Sequence, residues 1–372
     1  MIPYGTQWIE EEDIEAVVEV LRSDYLTTGP KVSEFEDCIK EYVGAKYAVA
    51  VSNGTAALHV ACMAAGISPG DEVITSAITF AASANCVLYC GGTPVFADIE
   101  EDTYNISPSS IREKITKRTK AIIPVHFTGQ PCDMDQIHAI AKEHNLLVIE
   151  DASHALGASY KHRKIGTLSE MTTLSFHPVK HITTGEGGMV LTNDEELYQK
   201  LSLLRTHGIT REPAWLTKRE GGWYYEQQML GYNYRISDIQ CALGISQMKR
   251  LPSFLKRRRE LAAYYNEAFK YVKGITIPFQ KEGYENSWHL YVILVEAERR
   301  KEIFDKLRED GIGVNVHYIP VYQHPYYQGN GYQNIHLPAA EKIYSQMISI
   351  PMYPKMTRHE QDYVIERIMT HL

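Results

Sequence analysis

Tyr47-Ala48-Val49-Ala50-Val51-Ser52-Asn53-Gly54-Thr55-Ala56-Ala57 reads as a short buried strand that ends in a small polar turn and restarts as a helix of small residues. Five apolar residues in a row are the mark of a strand covered on both faces, as strands of a parallel sheet are. The turn has strand before it and helix after it, so it sits where the free N–H groups of a helix start face whatever lies above the sheet edge. Such a turn suits a phosphate, and an ordinary tight β–α turn has the same residues. There is no G-x-x-x-x-G-K-S/T and no G-x-G-x-x-G, so a P-loop nucleotidase or dinucleotide enzyme is not indicated.

Outward from this stretch the alternation repeats. Strands are predicted at 72–75, 94–98, 120–125 and 146–150, and helices at 80–90, 108–116 and 135–144. Two further strands are placed at 172–176 and 187–192. On the amino-terminal side, Ile14, Val17, Val18 and Leu21 recur at helical spacing over 10–22, and a second helix runs through Phe35 and Ile39. Strands alternating with helices imply right-handed βαβ units and a mostly parallel sheet. From about residue 252 long charged helices (252–270, 299–310) flank short β-like runs such as Leu290-Tyr291-Val292-Ile293-Leu294-Val295. The expectation is an α/β large domain over 1–251 and a smaller α+β domain over 252–372.

The chain has 372 residues, 44% hydrophobic and 23% charged, with a net charge of −8. That is globular composition, and an acidic total argues against a nucleic-acid partner. The basic run Lys256-Arg257-Arg258-Arg259 is read as a solvated helix face. The six cysteines form no C-x-x-C pair and fall in apolar segments, so they are expected as reduced core thiols of a cytoplasmic protein. No membrane span and no leader are expected. Tyrosines number 25 against 9 Phe and 4 Trp. The excess, dense around 224–234 and 318–327, hints at polar surfaces that must still be stiff.

In a doubly wound sheet ligands bind beyond the carboxyl ends of the strands. Three more motifs fall there. Ile149-Glu150-Asp151-Ala152-Ser153-His154 puts acids at the end of a buried strand, where they hold a cationic nitrogen or cap a helix. Thr173-Leu174-Ser175-Phe176-His177-Pro178-Val179-Lys180-His181-Ile182-Thr183-Thr184-Gly185-Glu186-Gly187-Gly188 carries one lysine among hydroxyls and glycines. Lys180 in a restricted site is a Schiff-base candidate; in a loop it is a surface lysine. His177 and His181 lack an acid or thiol partner at ligand spacing, so no metal is expected. Gly231-Tyr232-Asn233-Tyr234-Arg235 precedes a helix start and offers a guanidinium for an anion.

Taken in order, these segments resemble the DegT-type nucleotide-sugar aminotransferases, pyridoxal-phosphate enzymes of the aspartate-aminotransferase fold (fold type I). Leu26-Thr27-Thr28-Gly29-Pro30, Thr79-Phe80 and Val316-His317-Tyr318 extend the match, which covers nearly the whole chain. The resemblance implies that Lys180 holds pyridoxal 5′-phosphate and shuttles the proton. It implies that Asp151 keeps the pyridine nitrogen protonated, that Phe80 stacks on the ring and that His154 lies beside it. Backbone groups of Gly54, Thr55 and Ala56, the Ser175 hydroxyl and Asn233 would hold the phosphate. The asparagine crosses from a second subunit, which implies a homodimer. Tyr4, the loop Asp24-Tyr25-Leu26-Thr27, Arg235 and His317-Tyr318-Ile319-Pro320 would meet the nucleotide sugar.

The implied reaction moves the amino group of L-glutamate, leaving 2-oxoglutarate, to the C4 ketone of a UDP-linked 4-keto-6-deoxy-N-acetylhexosamine of the pseudaminic acid type. Alternatives are a legionaminic acid, bacillosamine or perosamine type of 4-keto sugar, a pyridoxal-phosphate sugar dehydratase, and a non-catalytic regulator of the same fold.

Overall fold

The computed structural model describes residues 1–372. Seven strands form the main sheet: β1 (Tyr47–Val51), β2 (Glu72–Ser76), β3 (Thr93–Ala97), β4 (Thr119–Ile123), β5 (Leu147–Asp151), β6 (Met171–Ser175) and β7 (Gly188–Thr192). Their spatial order is β1-β7-β6-β5-β4-β2-β3. β7 alone runs antiparallel to its neighbours, with Val49 opposite Val190 and Ser175 opposite Gly188. The other adjacent pairs are parallel. The carboxyl ends of β1, β5 and β6 therefore share one edge, where Asn53, Asp151 and Ser175 sit.

Both faces of the sheet are covered, which is why its strands read as unbroken apolar runs. Ala48, Ala50, Ile122, Val148 and Leu174 face one core, with α2 (Pro30–Val43) and α6 (Met134–His144) over it. Val49, Val51, Ile123, Ile149 and Val190 face the other, under α3 (Gly54–Ala64) and α7 (Glu195–Arg205). The remaining covering helices are α1 (Glu11–Leu21), α4 (Ala82–Tyr89) and α5 (Pro108–Lys114). The predicted start of α3 at Ala56 moves back to Gly54, because Asn53 caps it: the Asn53 side chain accepts the Ala56 N–H at 2.8 Å.

Residues 238–269 form one long helix, α8 (Asp238–Phe269), which crosses residue 252 without a break although Pro252 lies inside it. Leu251, Phe254 and Leu255 pack with the sheet core, and from Leu261 onward α8 packs in a separate cluster. That cluster is built on one face of the antiparallel pair β8 (Tyr291–Leu294) and β9 (Met347–Ile350), with α9 (Ala297–Glu309) and α11 (Arg358–His371), while α10 (Pro338–Gln346) packs with Val292, Leu294 and Met347 in another cluster. The amino-terminal arm docks there too: Ile2 bridges to Ile312, and the Tyr4 carbonyl accepts the Met352 N–H.

The basic run on α8 is not wholly a solvated face. Arg258 is 1% exposed, and its Nη1 donates to the carbonyls of Trp288, His289 and Met352 at 3.0–3.1 Å. The six cysteines are free thiols, but Cys38 and Cys90 are only partly buried. No helix is long and apolar enough to cross a membrane.

Candidate active site

The first element of the site is the turn between β1 and α3. The N–H groups of Gly54 and Thr55 open α3, where the helix has no carbonyl to offer them. A Cβ at Gly54 would stand 2.9 Å from the Ser175 Cβ, and one at Gly188 would stand 2.4 Å from the Asn53 carbonyl oxygen. Both positions are glycine because three backbones converge there. The result is a concave cradle of unpaired N–H groups next to the Ser175 hydroxyl, the arrangement that binds a phosphate.

Asp151 ends β5 and is buried. Its Oδ2 accepts from Ser83 Oγ at 2.6 Å and its Oδ1 from the Ser153 N–H at 3.1 Å. Because the Ser83 proton is committed to the carboxylate, Thr79 Oγ1 donates to Ser83 Oγ, at 2.7 Å. The neighbouring Glu150 points to the other face and is fully buried. Its Oε2 lies 2.8 Å from His126 Nε2 and its Oε1 3.2 Å from Thr172 Oγ1. His126 Nδ1 accepts the Cys132 N–H, so Nε2 is the donor to Glu150. Burial pushes the Glu150 carboxyl up, but the hydrogen bond and charge of His126, with smaller contributions from Ser169 and His138, together outweigh it and hold the group below its ordinary value. The two adjacent acids thus separate: Glu150 is structural, and Asp151 faces the pocket.

Lys180 Nζ makes no hydrogen bond or ion pair. Burial lowers its pKa to about 8, partly countered by the charge of Asp151. At pH 7 about a tenth of it is then neutral amine, far more than an ordinary lysine offers, as a nucleophile requires. His154, 4% exposed, meets Tyr318 Oη through Nε2 at 3.2 Å. Burial, then the Lys180 charge, hold its imidazole well below the ordinary histidine range. His317 is pushed down to about 4 by the same two causes. Its Nδ1 bonds Ser349 Oγ at 2.8 Å and its Nε2 meets Asn315 Nδ2 at 3.2 Å. Tyr4 packs its ring 5.3 Å from that of His317. Phe80 is 59% exposed, with its ring 6.0 Å from that of Tyr318. A large exposed aromatic at the mouth of a pocket is a stacking surface.

The structure thus brings together Lys180, Asp151, His154, Phe80, Tyr318, His317 and Tyr4, and separately Gly54, Thr55 and Ser175 as the cradle; the expected Ala56 N–H is instead committed to the Asn53 side chain that caps α3. Ile319 is exposed and Pro320 buried. The loop with Asp24, Tyr25, Leu26 and Thr27 lies against the start of α8: Thr27 bridges to Ser237, and the Leu26 carbonyl accepts the Asp238 N–H. Arg235 lines a cleft there with Thr28, Ser33, Glu36 and Arg205, and is not ion-paired. Asn233 is exposed and pairs with Thr206 through its backbone. Within one chain its side chain bonds nothing in the cradle.

Among the tyrosines, Tyr318 lies in the site, whereas Tyr322 and Tyr327 do not. They are buried around Phe96, with hydroxyls bonded to Glu341 and Asn85, because the apolar ring outweighs one satisfied hydroxyl. Tyr232 and Tyr234 stack on each other beside His59. The sequence offers Ser237 or Asp238 as the cap of a helix start; it does not single out Ser83 as a partner of Asp151. No group of three or more His, Cys, Asp or Glu stands where it could hold a metal ion.

A family model described as the DegT/DnrJ/EryC1/StrS aminotransferase family matches residues 7–369. The chain is 45% identical over 373 residues to the spore coat polysaccharide biosynthesis protein SpsC of Bacillus subtilis, covering 99% of this chain and 96% of that one. It is 39% identical over 381 residues to the UDP-4-amino-4,6-dideoxy-N-acetyl-beta-L-altrosamine transaminase of Campylobacter jejuni, covering 100% and 98%. Among solved structures, Helicobacter pylori PseC, an aminotransferase involved in the biosynthesis of pseudoaminic acid, matches with a TM-score of 0.93. It is 34% identical, and the match covers 100% of this chain and 98% of that one.

Proposed function

The chain belongs to the DegT/DnrJ/EryC1/StrS aminotransferase family, and from that footing we propose that it moves the amino group of L-glutamate to the C4 ketone of a UDP-linked 4-keto-6-deoxy-N-acetylhexosamine in a pathway of the pseudaminic acid type. It is a pyridoxal-phosphate-dependent sugar aminotransferase of fold type I. The observation that carries the reading is a half-buried Lys180 whose amine has no hydrogen-bond or ion-pair partner, with a phosphate cradle at the same sheet edge.

These residues fit the cofactor. The Gly54 and Thr55 backbone and Ser175 would hold its phosphate, Asp151 its ring nitrogen, and Phe80 and His154 its ring. Bound there, pyridoxal phosphate supplies an electron sink for charge on the substrate carbon. Lys180 Nζ attaches the cofactor and then moves the proton at that carbon. Ser83 and the Ser153 N–H orient the Asp151 carboxylate toward the position a cationic ring nitrogen would take. Tyr4 and His317–Pro320 offer an aromatic and hydroxyl-bearing wall for the sugar, and Asp24–Thr27 and Arg235 a second wall for the nucleotide.

The enzyme is assigned as a cytoplasmic homodimer in which Asn233 of the partner subunit completes the phosphate cradle. Supporting this are the exposed Asn233, which reaches no cradle group of its own chain, and the exposed apolar residues Tyr25, Leu26, Tyr89 and Leu230. Six free thiols agree with a reducing compartment.

The similarity to the altrosamine transaminase and PseC supports the pseudaminic acid type of sugar. The higher identity to SpsC favours, as the second reading, a nucleotide-linked 4-keto sugar bound for another polysaccharide. A coupled glutamate assay against a panel of nucleotide 4-keto sugars, with NMR of the product, separates the two. Exclusive turnover of a 3-keto or dTDP-linked sugar would refute the proposed substrate and leave the transaminase chemistry standing.

A further inference from the structure

The resemblance places His317 among the groups that touch the sugar, yet both of its ring nitrogens are already engaged inside the chain. The residue is buried. Its Nδ1 lies 2.8 Å from Ser349 Oγ and its Nε2 lies 3.2 Å from Asn315 Nδ2. The two partners are themselves locked together. Asn315 and Ser349 stand opposite each other in an antiparallel bridge, with backbone N–H···O distances of 3.1 and 2.8 Å in the two directions.

The donors and acceptors of this network have one solution. The Val316 N–H can only donate, and it donates to Asn315 Oδ1 at 2.8 Å. That fixes which end of the amide is oxygen, so the atom facing His317 Nε2 is the NH2 group. An NH2 group can only donate, so Nε2 accepts and carries no proton. The imidazole proton then sits on Nδ1, and Ser349 Oγ accepts it. An imidazolium would set an N–H against the Asn315 NH2. Burial, and then the Lys180 charge, oppose that form and push the ring's pKa down to about 4.

What the ring supports is Tyr4. The two ring centroids are 5.3 Å apart and tilted by 52°. The backbone of the amino-terminal arm holds Tyr4 from the other side. The Ile2 carbonyl accepts the Gly313 N–H at 2.6 Å, and the Tyr4 carbonyl accepts the Met352 N–H at 2.9 Å. A Cβ at Gly313 would stand 2.9 Å from both the Ile2 carbonyl oxygen and the Tyr4 nitrogen, so glycine is what admits the arm this close. Tyr4 is half-buried, and its hydroxyl bonds no group of the chain. Tyr318, whose phenol feels both Tyr4 and Asp151, has its own hydroxyl engaged with His154 Nε2 at 3.2 Å. Of Tyr4, His317 and Tyr318, only Tyr4 keeps its polar atom free for a ligand.

We propose that His317 is a positioning residue: held in its Nδ1–H form by Asn315 and Ser349, it fixes the Tyr4 ring, and the Tyr4 hydroxyl, not the imidazole, hydrogen-bonds the sugar. The assignment of the ligand rests on the nucleotide-sugar reading above; the assignment of the imidazole proton does not.

Long-range 1H–15N NMR of histidine-labelled protein tests the proton without any substrate. His317 should show Nδ1 protonated and Nε2 bare. Asn315→Asp keeps the shape but sets a carboxylate oxygen against Nε2, so a proton should appear there and identify the residue. A wild-type His317 protonated at Nε2, or an Asn315→Asp spectrum identical to the wild type, would overturn the proposal even if no other variant folds. The positioning role is tested by a double-mutant cycle on kcat/KM for whichever nucleotide 4-keto sugar is turned over. Tyr4→Phe and His317→Leu should each lower it about fivefold, and the double variant should fall no further, with kcat/KM for glutamate unchanged in all three. An additive fall of about 25-fold would show that the imidazole touches the sugar itself, and would overturn the proposal. So would an equal loss on glutamate. A wild type that turns over no such sugar refutes the substrate reading and with it the role of Tyr4, and the spectra still decide the state of His317.

Discussion

At the scale of single residues, function costs stability. A lysine that titrates near 8 instead of 10.5 burdens the fold by roughly 3 kcal/mol at neutral pH. The cost is full below pH 8, where Lys180 is charged in both states, and it is gone above about 10.5, where it is neutral in both. Lys180→Met should therefore stabilise the cofactor-free protein by about 1–3 kcal/mol in urea unfolding at pH 7, and the gain should shrink between pH 8 and 10.5. A gain that grows with pH would contradict the assignment. The same substitution should abolish the visible absorption of the loaded enzyme. At the cradle, Gly54→Ala puts a methyl 2.9 Å from the Ser175 Cβ. Overpacking of this kind costs about 1–3 kcal/mol. It should appear mainly as at least tenfold weaker pyridoxal phosphate affinity in a titration of cofactor fluorescence. Lys180 and Asp151 were legible in the sequence because each follows a strand whose apolar run marks the sheet edge. Ser83 was not, because it meets Asp151 only through a chain reversal of 68 positions.

At the scale of elements, one carboxylate joins two helices. Asp238, fully buried in the first turn of α8, accepts the Gly29 and Lys31 N–H groups at 2.8 and 3.0 Å. It thereby caps α2, whose own N-cap residue is a glycine with no side chain to do so. Asp238→Ala should cost about 2–3 kcal/mol in urea unfolding and Asp238→Asn about 1 kcal/mol, since the amide keeps one acceptor. An alanine variant as stable as the wild type would show that this cap does not hold the two helices together. Element positions in the large sheet could be read to within a few residues, since the strands buried on both faces announce themselves. The length of α8 could not. Pro252 reads as a stop, but Leu251 and Leu255 bury the helix face on either side of it, and that packing outweighs one lost backbone bond. The tyrosines beyond 320 misled for a related reason: composition records a phenol but not which way its ring points.

At the scale of the whole molecule, the ordered set of motifs gave away the architecture, whereas the subunit arrangement is a matter for mixing. If the partner's Asn233 completes each cradle, Lys180→Ala and Asn233→Ala proteins, each inactive alone, should regain activity when refolded together. Random pairing makes half the dimers hybrid, each with one intact site, so recovery should approach about a quarter of the wild type. No recovery in verified hybrids would place Asn233 in its own subunit's site or outside the chemistry.

The unbroken α8 has another consequence, for how the gene can be cut. A chain truncated at residue 251 would sever a helix in mid-course and strip Arg258 from beneath the loop it ties down. Neither piece should be harvested as an independent folding module, and an insertion at the junction should be poorly tolerated. A protease should spare that junction and nick the exposed segment around 211–222 first, leaving two fragments that stay associated and elute as one species.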